Sequence, residues 1–439
     1  MTKPRLSRFV FNCVLSLFAL VISLGCAEWL FLVYERARFS AGYMDEHGIV
    51  DLHALNYNDT TVPVAKPADE WRVLSFGDSF AYSITTYDYS YSGVAAGMVN
   101  AAKVGPKVRI VNLGEPATSV NDYRAAYQYW AAILHHDVAI FNIYLGNDLS
   151  DIAFKYTPPQ WTPNSLFNEQ DFNIADGSAR SHIPHKFPLR IFDYTYAYSR
   201  AFLYAQRATE AKVPDPRYNI AADNEFTHFP EELFFTINKE QLISFDFSRI
   251  DTLLAGYAAV YEFMRFASDL RQNGKQVLIT LAPSESQADP ALRARLKERY
   301  HIDLTLYDWS LPARIIREIG TQVDARIPVV DLTGYFQCRA EAGETLYHPG
   351  NTHWNLEGNA LAGQVIARWM LQNWLDAPAL VSQDLQTCVA QKEGTEPKIS
   401  TATIHAFIAN TLLPALRNGA EKRAGQWEED RHVLVEPGE

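Results

Sequence analysis

The sequence predicts an α/β fold, a three-layer α/β/α sandwich in which helices cover both faces of a central parallel sheet. Short apolar runs the length of buried strands recur between turn residues: "RVLSF" (72–76), "VRIVNL" (108–113), "VAIFNIYL" (138–145), "QVLITLA" (276–282) and "IPVVDL" (327–332). Helical stretches alternate with them, "VNDYRAAYQYWAAIL" after the second run and "ALRARLKERY" after the fourth, and that alternation is the mark of a parallel sheet. At 439 residues and 48% apolar content, the chain fills a sizeable core, as one large domain with insertions or as two smaller ones.

The N-terminus comes first in order. Phe9 to Val33 is nearly all apolar, Asn12 and Glu28 being exceptions, and exceeds the roughly 20 residues that cross a bilayer. Lys3, Arg5 and Arg8 precede it without an acidic residue, so residues 1–35 read as a membrane anchor with its start in the cytoplasm and the remainder periplasmic or extracellular. Glu28 lies near the outer end, where its charge reaches the interface. A cleaved signal peptide is the alternative, but the run is long for one and no A-x-A-like site follows it. "SLGC" (23–26) hints at lipoprotein processing, against which stands the apolar "WLFLVY" just beyond.

Residues 36–70 carry Gly, Asp, Asn and Pro without periodicity and read as a tether. The folded domain is expected over 71–376. Within it, residues from about 153 to 245 break the alternation and read as an insertion or lid, rich in Pro, Asp, Asn and aromatics such as Trp161, Phe187, Phe192, Tyr194, Tyr196 and Tyr198, which either stack on sugar rings or pack a core. A helix ending at Asn273-Gly274 then leads into the fourth strand, and Leu361, Val365 and Trp369 mark a closing amphipathic helix. In the extension 377–439, Ile404, Phe407, Ile408 and Leu412 form an apolar face suited to docking on the domain itself, on a partner or on a membrane.

Charge and cysteine usage exclude several functions. A net charge of −12 and a pI near 5.5, with no long basic run, argue against a nucleic-acid partner. Four cysteines are too few for a disulfide scaffold and show no zinc spacing, although export permits a Cys338–Cys388 bond.

The chemistry gathers at strand ends. "SFGDSFAYS" places Gly77, Asp78 and Ser79 at the carboxyl edge of the first strand, where doubly wound sheets bind ligands. Gly-Asp-Ser by itself also suits a plain turn or helix cap. The second strand ends in "VNLGEPATSV", delivering the Gly114 N–H, and the third in "YLGNDLSD", delivering Asn147 and Asp148. A hydroxyl, a backbone amide and a side-chain amide on one rim are what acyl transfer needs: a nucleophile beside donors for the oxyanion. Asn147 read alone is a turn residue.

Ser, Gly, Asn and a C-terminal His, in this order on these elements, resemble the SGNH (GDSL-type) hydrolase superfamily. "GDSF" resembles its first block, Gly114 its second, "GND" its third and "THWN" its last, over roughly Trp71 to Trp374. The resemblance implies a flavodoxin-like sheet, Ser79 as nucleophile, the backbone of Ser79 and Gly114 with the Asn147 side chain as oxyanion hole, and His353 as base. The segment "YHPGNTHWNLEGN" and the single anchor are similar to the branch acting on exported polysaccharides, which includes alginate-type O-acetyltransferases.

That branch usually places an Asp two residues before the histidine, and other members three before; here those positions hold Asn351 and Gly350. Three readings stand: a Ser-His-Asn arrangement or a dyad, in which Asn351 orients the imidazole without charge; a remote acid, Asp331, Asp148 or Asp78; or a slow or inactive descendant that binds glycans. Trp354 either lines the pocket or anchors the loop by packing. The expectation is a serine esterase or O-acyltransferase on a carbohydrate acyl ester, working with envelope polysaccharide assembly proteins and needing neither metal nor organic cofactor. The alternatives are a glycan-binding assembly protein and a lipid-ester hydrolase.

Overall fold

The computed structural model describes residues 48–52, 57–155, 217–218, 229–377, 388–389 and 397–417, with isolated positions between 15 and 26. The expected anchor otherwise falls outside the described residues, as do the insertion's six named aromatics and the end of the C-terminal extension. Among the described residues no helix is long and apolar enough to cross a membrane.

Five parallel strands form the main sheet: β3 (Glu70–Gly77), β4 (Lys107–Asn112), β5 (Val138–Tyr144), β6 (Gln276–Ala282) and β7 (Val329–Asp331), in the order β4-β3-β5-β6-β7. These are the five runs expected from the sequence. Every residue of β5 is buried, which is why its sequence is apolar throughout except for Asn142 rather than alternating. The order reverses between β3 and β5, the crevice where open sheets bind ligands.

Helices cover both faces. On one, α2 (Tyr91–Ala101), α6 (Thr333–Glu341) and α7 (Leu356–Asn373) pack against Val73, Ile110, Ile140 and Leu278. On the other, α3 (Val120–Ile133), α4 (Leu254–Gln272) and α5 (Leu311–Asp324) pack against Leu74, Phe141 and Ile279. Alternate residues of each strand thus feed separate cores. Ile404, Phe407, Ile408 and Leu412 are buried in the second core, so that the C-terminal apolar face is seated on its own domain.

Part of the expected tether is structure. β1 (Ile49–Asp51) pairs antiparallel with β2 (Thr61–Pro63), and Val50, Leu52, Tyr57 and Val62 are core residues. Buried Asp59 fastens the segment, accepting from the Asn112 N–H at 2.7 Å and pairing with Arg109. Three-residue strands are too short to show periodicity, which is why the sequence reads as irregular there. Cys338 and Cys388 form a disulfide.

Candidate active site

β3 delivers Ser79 to the rim. At Gly77 a Cβ would stand 2.7 Å from the Ala81 Cβ and 2.8 Å from the Asn142 carbonyl, so only glycine allows the chain to fold over β5 there. Asp78 then caps a single helical turn, α1 (Ser79–Tyr82), its Oδ1 accepting from the Phe80 N–H at 2.9 Å. Burial, with Asp151 nearby, pushes the Asp78 carboxyl up to about 7. Asp78 is a cap, and the half-buried Ser79 side chain is what this turn presents.

The base arrives on a loop built by turn chemistry. In "HPGN" the Asn351 N–H donates to the His348 carbonyl at 2.9 Å and Gly350 has φ 70°, the arrangement of a type II turn with Pro and Gly at its centre. The position three before the histidine therefore serves the backbone and leaves no place for a carboxylate. Asn351 is fully buried, and its Oδ1 faces two groups of His353: the backbone N–H at 3.0 Å and the ring Nδ1 at 2.6 Å.

Those two bonds determine the tautomer. A backbone N–H only donates, so the amide atom that meets it is the oxygen, and the ring nitrogen sharing that oxygen must carry a proton. Nε2 is then unprotonated, and it lies 2.8 Å from Ser79 Oγ, placed to accept the hydroxyl proton. The backbone of His353 thus prevents the amide flip that would offer an NH2 to the imidazole.

Aromatic packing holds the ring. Phe80 stacks on His353 with centroids 5.1 Å apart and on Tyr144 at 3.9 Å. Trp354, 1% exposed, sits edge-on to Phe80 and against Phe336 and Tyr91, which makes it a packing anchor. Asn359 ties the base helix to the nucleophile side: its Oδ1 accepts from Ser83 Oγ at 3.1 Å and from the Tyr91 N–H at 3.2 Å. Burial, reinforced by His348, lowers the His353 imidazole to about 4, so it is neutral at ordinary pH.

The remote acids expected as alternatives do not reach the imidazole. Asp331 accepts from the Thr333 N–H at 2.9 Å and pairs with Arg317 at 3.5 Å. Asp148 accepts from the Tyr123 hydroxyl at 2.8 Å and the Tyr144 N–H at 3.0 Å; burial raises its carboxyl, with Asp78 adding repulsion. The group on Nδ1 is Asn351.

Two of the three expected oxyanion donors, the Gly114 N–H and the Asn147 amide, carry internal bonds. Gly114 lies against the backbone of Ala81 and Tyr82, on the turn that carries Ser79, and its N–H donates to Asn112 Oδ1 at 3.0 Å. Asn147 Nδ2 donates to Asp151 Oδ2 at 3.0 Å. The Gly114 N–H reaches an oxyanion by exchanging its partner, whereas Asn147 Nδ2 keeps a second N–H beyond the one given to Asp151. Asn112 and Asp151 were not anticipated; the one signal for Asn112 was its place at the end of a strand, two residues before Gly114. Among the described residues no group of three His, Cys, Asp or Glu side chains is placed to hold a metal ion.

Neither protein-family models nor curated proteins gave a match. Similar solved structures include a protein described as lipolytic, of the G-D-S-L family, from Desulfitobacterium hafniense, with 12% identity, a TM-score of 0.28, and coverage of 68% of this chain and 98% of that one. A lipolytic protein of the same family from Veillonella parvula gives 14%, 0.30, 69% and 98%. An alpha/beta hydrolase enzyme from the metagenome of Lake Arreo, Spain, gives 15%, 0.32, 71% and 97%. At scores this low the likeness decides nothing about the site, whose own geometry carries its reading.

Proposed function

We propose that the chain is a serine-dependent acyl-ester hydrolase or O-acyltransferase acting on a carbohydrate ester. The observation that carries this reading is the Ser79 Oγ to His353 Nε2 contact of 2.8 Å, with Nδ1 held by the Asn351 oxygen at 2.6 Å. In the reaction Nε2 takes the hydroxyl proton as Oγ bonds to the acyl carbon. The imidazolium then gives that proton to the departing alcohol oxygen, leaving acyl-Ser79. Water or a second sugar hydroxyl repeats the sequence in reverse and frees the serine. The backbone N–H of Ser79, the second N–H of Asn147 Nδ2 and the Gly114 N–H, once it leaves Asn112, are the groups assigned to the developing oxyanion.

Asn351 supplies orientation without charge. In serine proteases, Asp to Asn costs about 10⁴ in kcat, chiefly through the wrong tautomer. Here the tautomer is held, so the remaining deficit is the missing stabilisation of the imidazolium. The carbohydrate ester, the envelope location, the N-terminal anchor and partners in polysaccharide assembly rest on the resemblance of "GDSF" and "YHPGNTHWN" and on the apolar N-terminus.

A second reading, a non-catalytic glycan-binding protein, is favoured by the internal bonds of the Gly114 N–H and the Asn147 amide. Fluorophosphonate labelling separates the two. Adduct formation on Ser79, lost in Ser79→Ala, supports the enzyme; a folded wild-type protein that stays unlabelled under conditions that label a control esterase removes it.

A further inference from the structure

The two loops that carry Ser79 and His353 are joined by residues distant from both in sequence. The Thr86 N–H donates to the Arg217 carbonyl at 2.8 Å, and Tyr218 forms an antiparallel bridge with Thr85 on the nucleophile side. The half-buried Tyr218 ring then reaches the base side, with its centroid 5.7 Å from that of His348 and the planes at 90°. The Phe229 N–H adds a bond to the Gly350 carbonyl at 3.0 Å. His348 is itself next to the base, its N–H donating to the His353 carbonyl at 2.9 Å.

Proton transfer identifies what must lie on that side. Nε2 returns the serine proton to the leaving oxygen, so the alcohol part of the ester sits on the imidazole side of Oγ, where the loop carrying His348 runs. A tyrosine ring there is suited to the C–H face of a sugar. Resting on the acyl-transfer reading of the dyad, we infer that Tyr218, together with His348, forms the subsite for the alcohol moiety, and that this moiety is a sugar ring packed on Tyr218.

Two esters with the same acyl group test it: an O-acetylated methyl glucoside and ethyl acetate. Tyr218→Ala raises KM for the sugar ester about tenfold, the scale of a truncated aromatic contact, and leaves kcat/KM for ethyl acetate within about twofold. Tyr218→Phe keeps most of the sugar-ester rate. Equal losses on both esters mean that Tyr218 only holds the loops, and no loss on the sugar ester means that the alcohol lies elsewhere; either result overturns the assignment. Saturation-transfer NMR of methyl glucoside on Ser79→Ala, with and without Tyr218→Ala, reads the subsite without turnover. Sugar binding that ignores Tyr218 removes the subsite alone. Tyr218-dependent binding by a wild-type protein inert to both esters supports the subsite and removes the acyl-transfer reading.

Discussion

Replacing Asn351 by Asp puts a negative charge where the imidazole now meets a neutral oxygen at 2.6 Å, and it should move the acid limb of activity upward. The present base is neutral down to about 4, so wild-type kcat/KM should hold as pH falls and be lost only near that value. Unit charges about 4 Å apart attract by about 4 kcal/mol at an effective dielectric of about 20, and burying the new carboxylate cancels part of it. The net rise is about 1–3 pH units, as for other charges beside a single partner. Asn351→Asp should therefore lose half its activity at about 5–7 instead of about 4. Its plateau rate should rise, because the imidazolium formed during attack gains a counter-charge. The assay is kcat/KM for p-nitrophenyl acetate from pH 3 to 9, with His353 ring protons followed by NMR as a second readout. An acid limb that stays in place, or moves to lower pH, refutes the reasoning that Asn351 is the imidazole's partner.

Three further outcomes follow from the same contacts. Gly77→Ala should destabilise the fold by about 1–3 kcal/mol, since its Cβ would stand 2.8 Å from the Asn142 carbonyl; an unchanged urea midpoint contradicts the close approach of β3 and β5. Asp78→Asn keeps the cap bond and removes a carboxyl raised to about 7. A carboxyl raised from 3.8 to about 7 contributes stability that is full below the lower value and lost as pH rises through the higher, so the variant should gain on wild type from pH 3.5 to pH 8.5. The same difference from wild type at both pH values, in urea unfolding, removes the argument. Opening the Cys338–Cys388 bond, which closes a 50-residue separation, should cost about 4 kcal/mol on chain-entropy grounds; paired Cys→Ser substitutions and thermal melts without reductant measure it.

The parts of the fold legible in the sequence were those whose physics is local. β5 and β6 announce themselves because strands buried on both faces have no solvent-facing residue to interrupt them. The glycines ending "SFG" and "NLG" mark turns at one sheet edge, and "HPGN" is a turn by composition. The β1–β2 pair was not legible, since three-residue strands contain less than two periods of alternation and are held by Asp59, whose partners Arg109 and Asn112 lie about 50 residues away in sequence. Nor was the engagement of the oxyanion donors. That Asn112 takes the Gly114 N–H and Asp151 takes the Asn147 amide depends on rotamers chosen by packing.

The sequence alone determined which chemical groups are present and on which strand ends they sit, because apolar periodicity and turn residues are read within a few positions of themselves. Only the tertiary structure decided that residues 274 apart meet at 2.8 Å, and that the asparagine in place of an aspartate presents its oxygen rather than its NH2. Hydrogen-bond direction depends on what the whole fold places opposite each atom, and here the backbone N–H of His353 makes that choice.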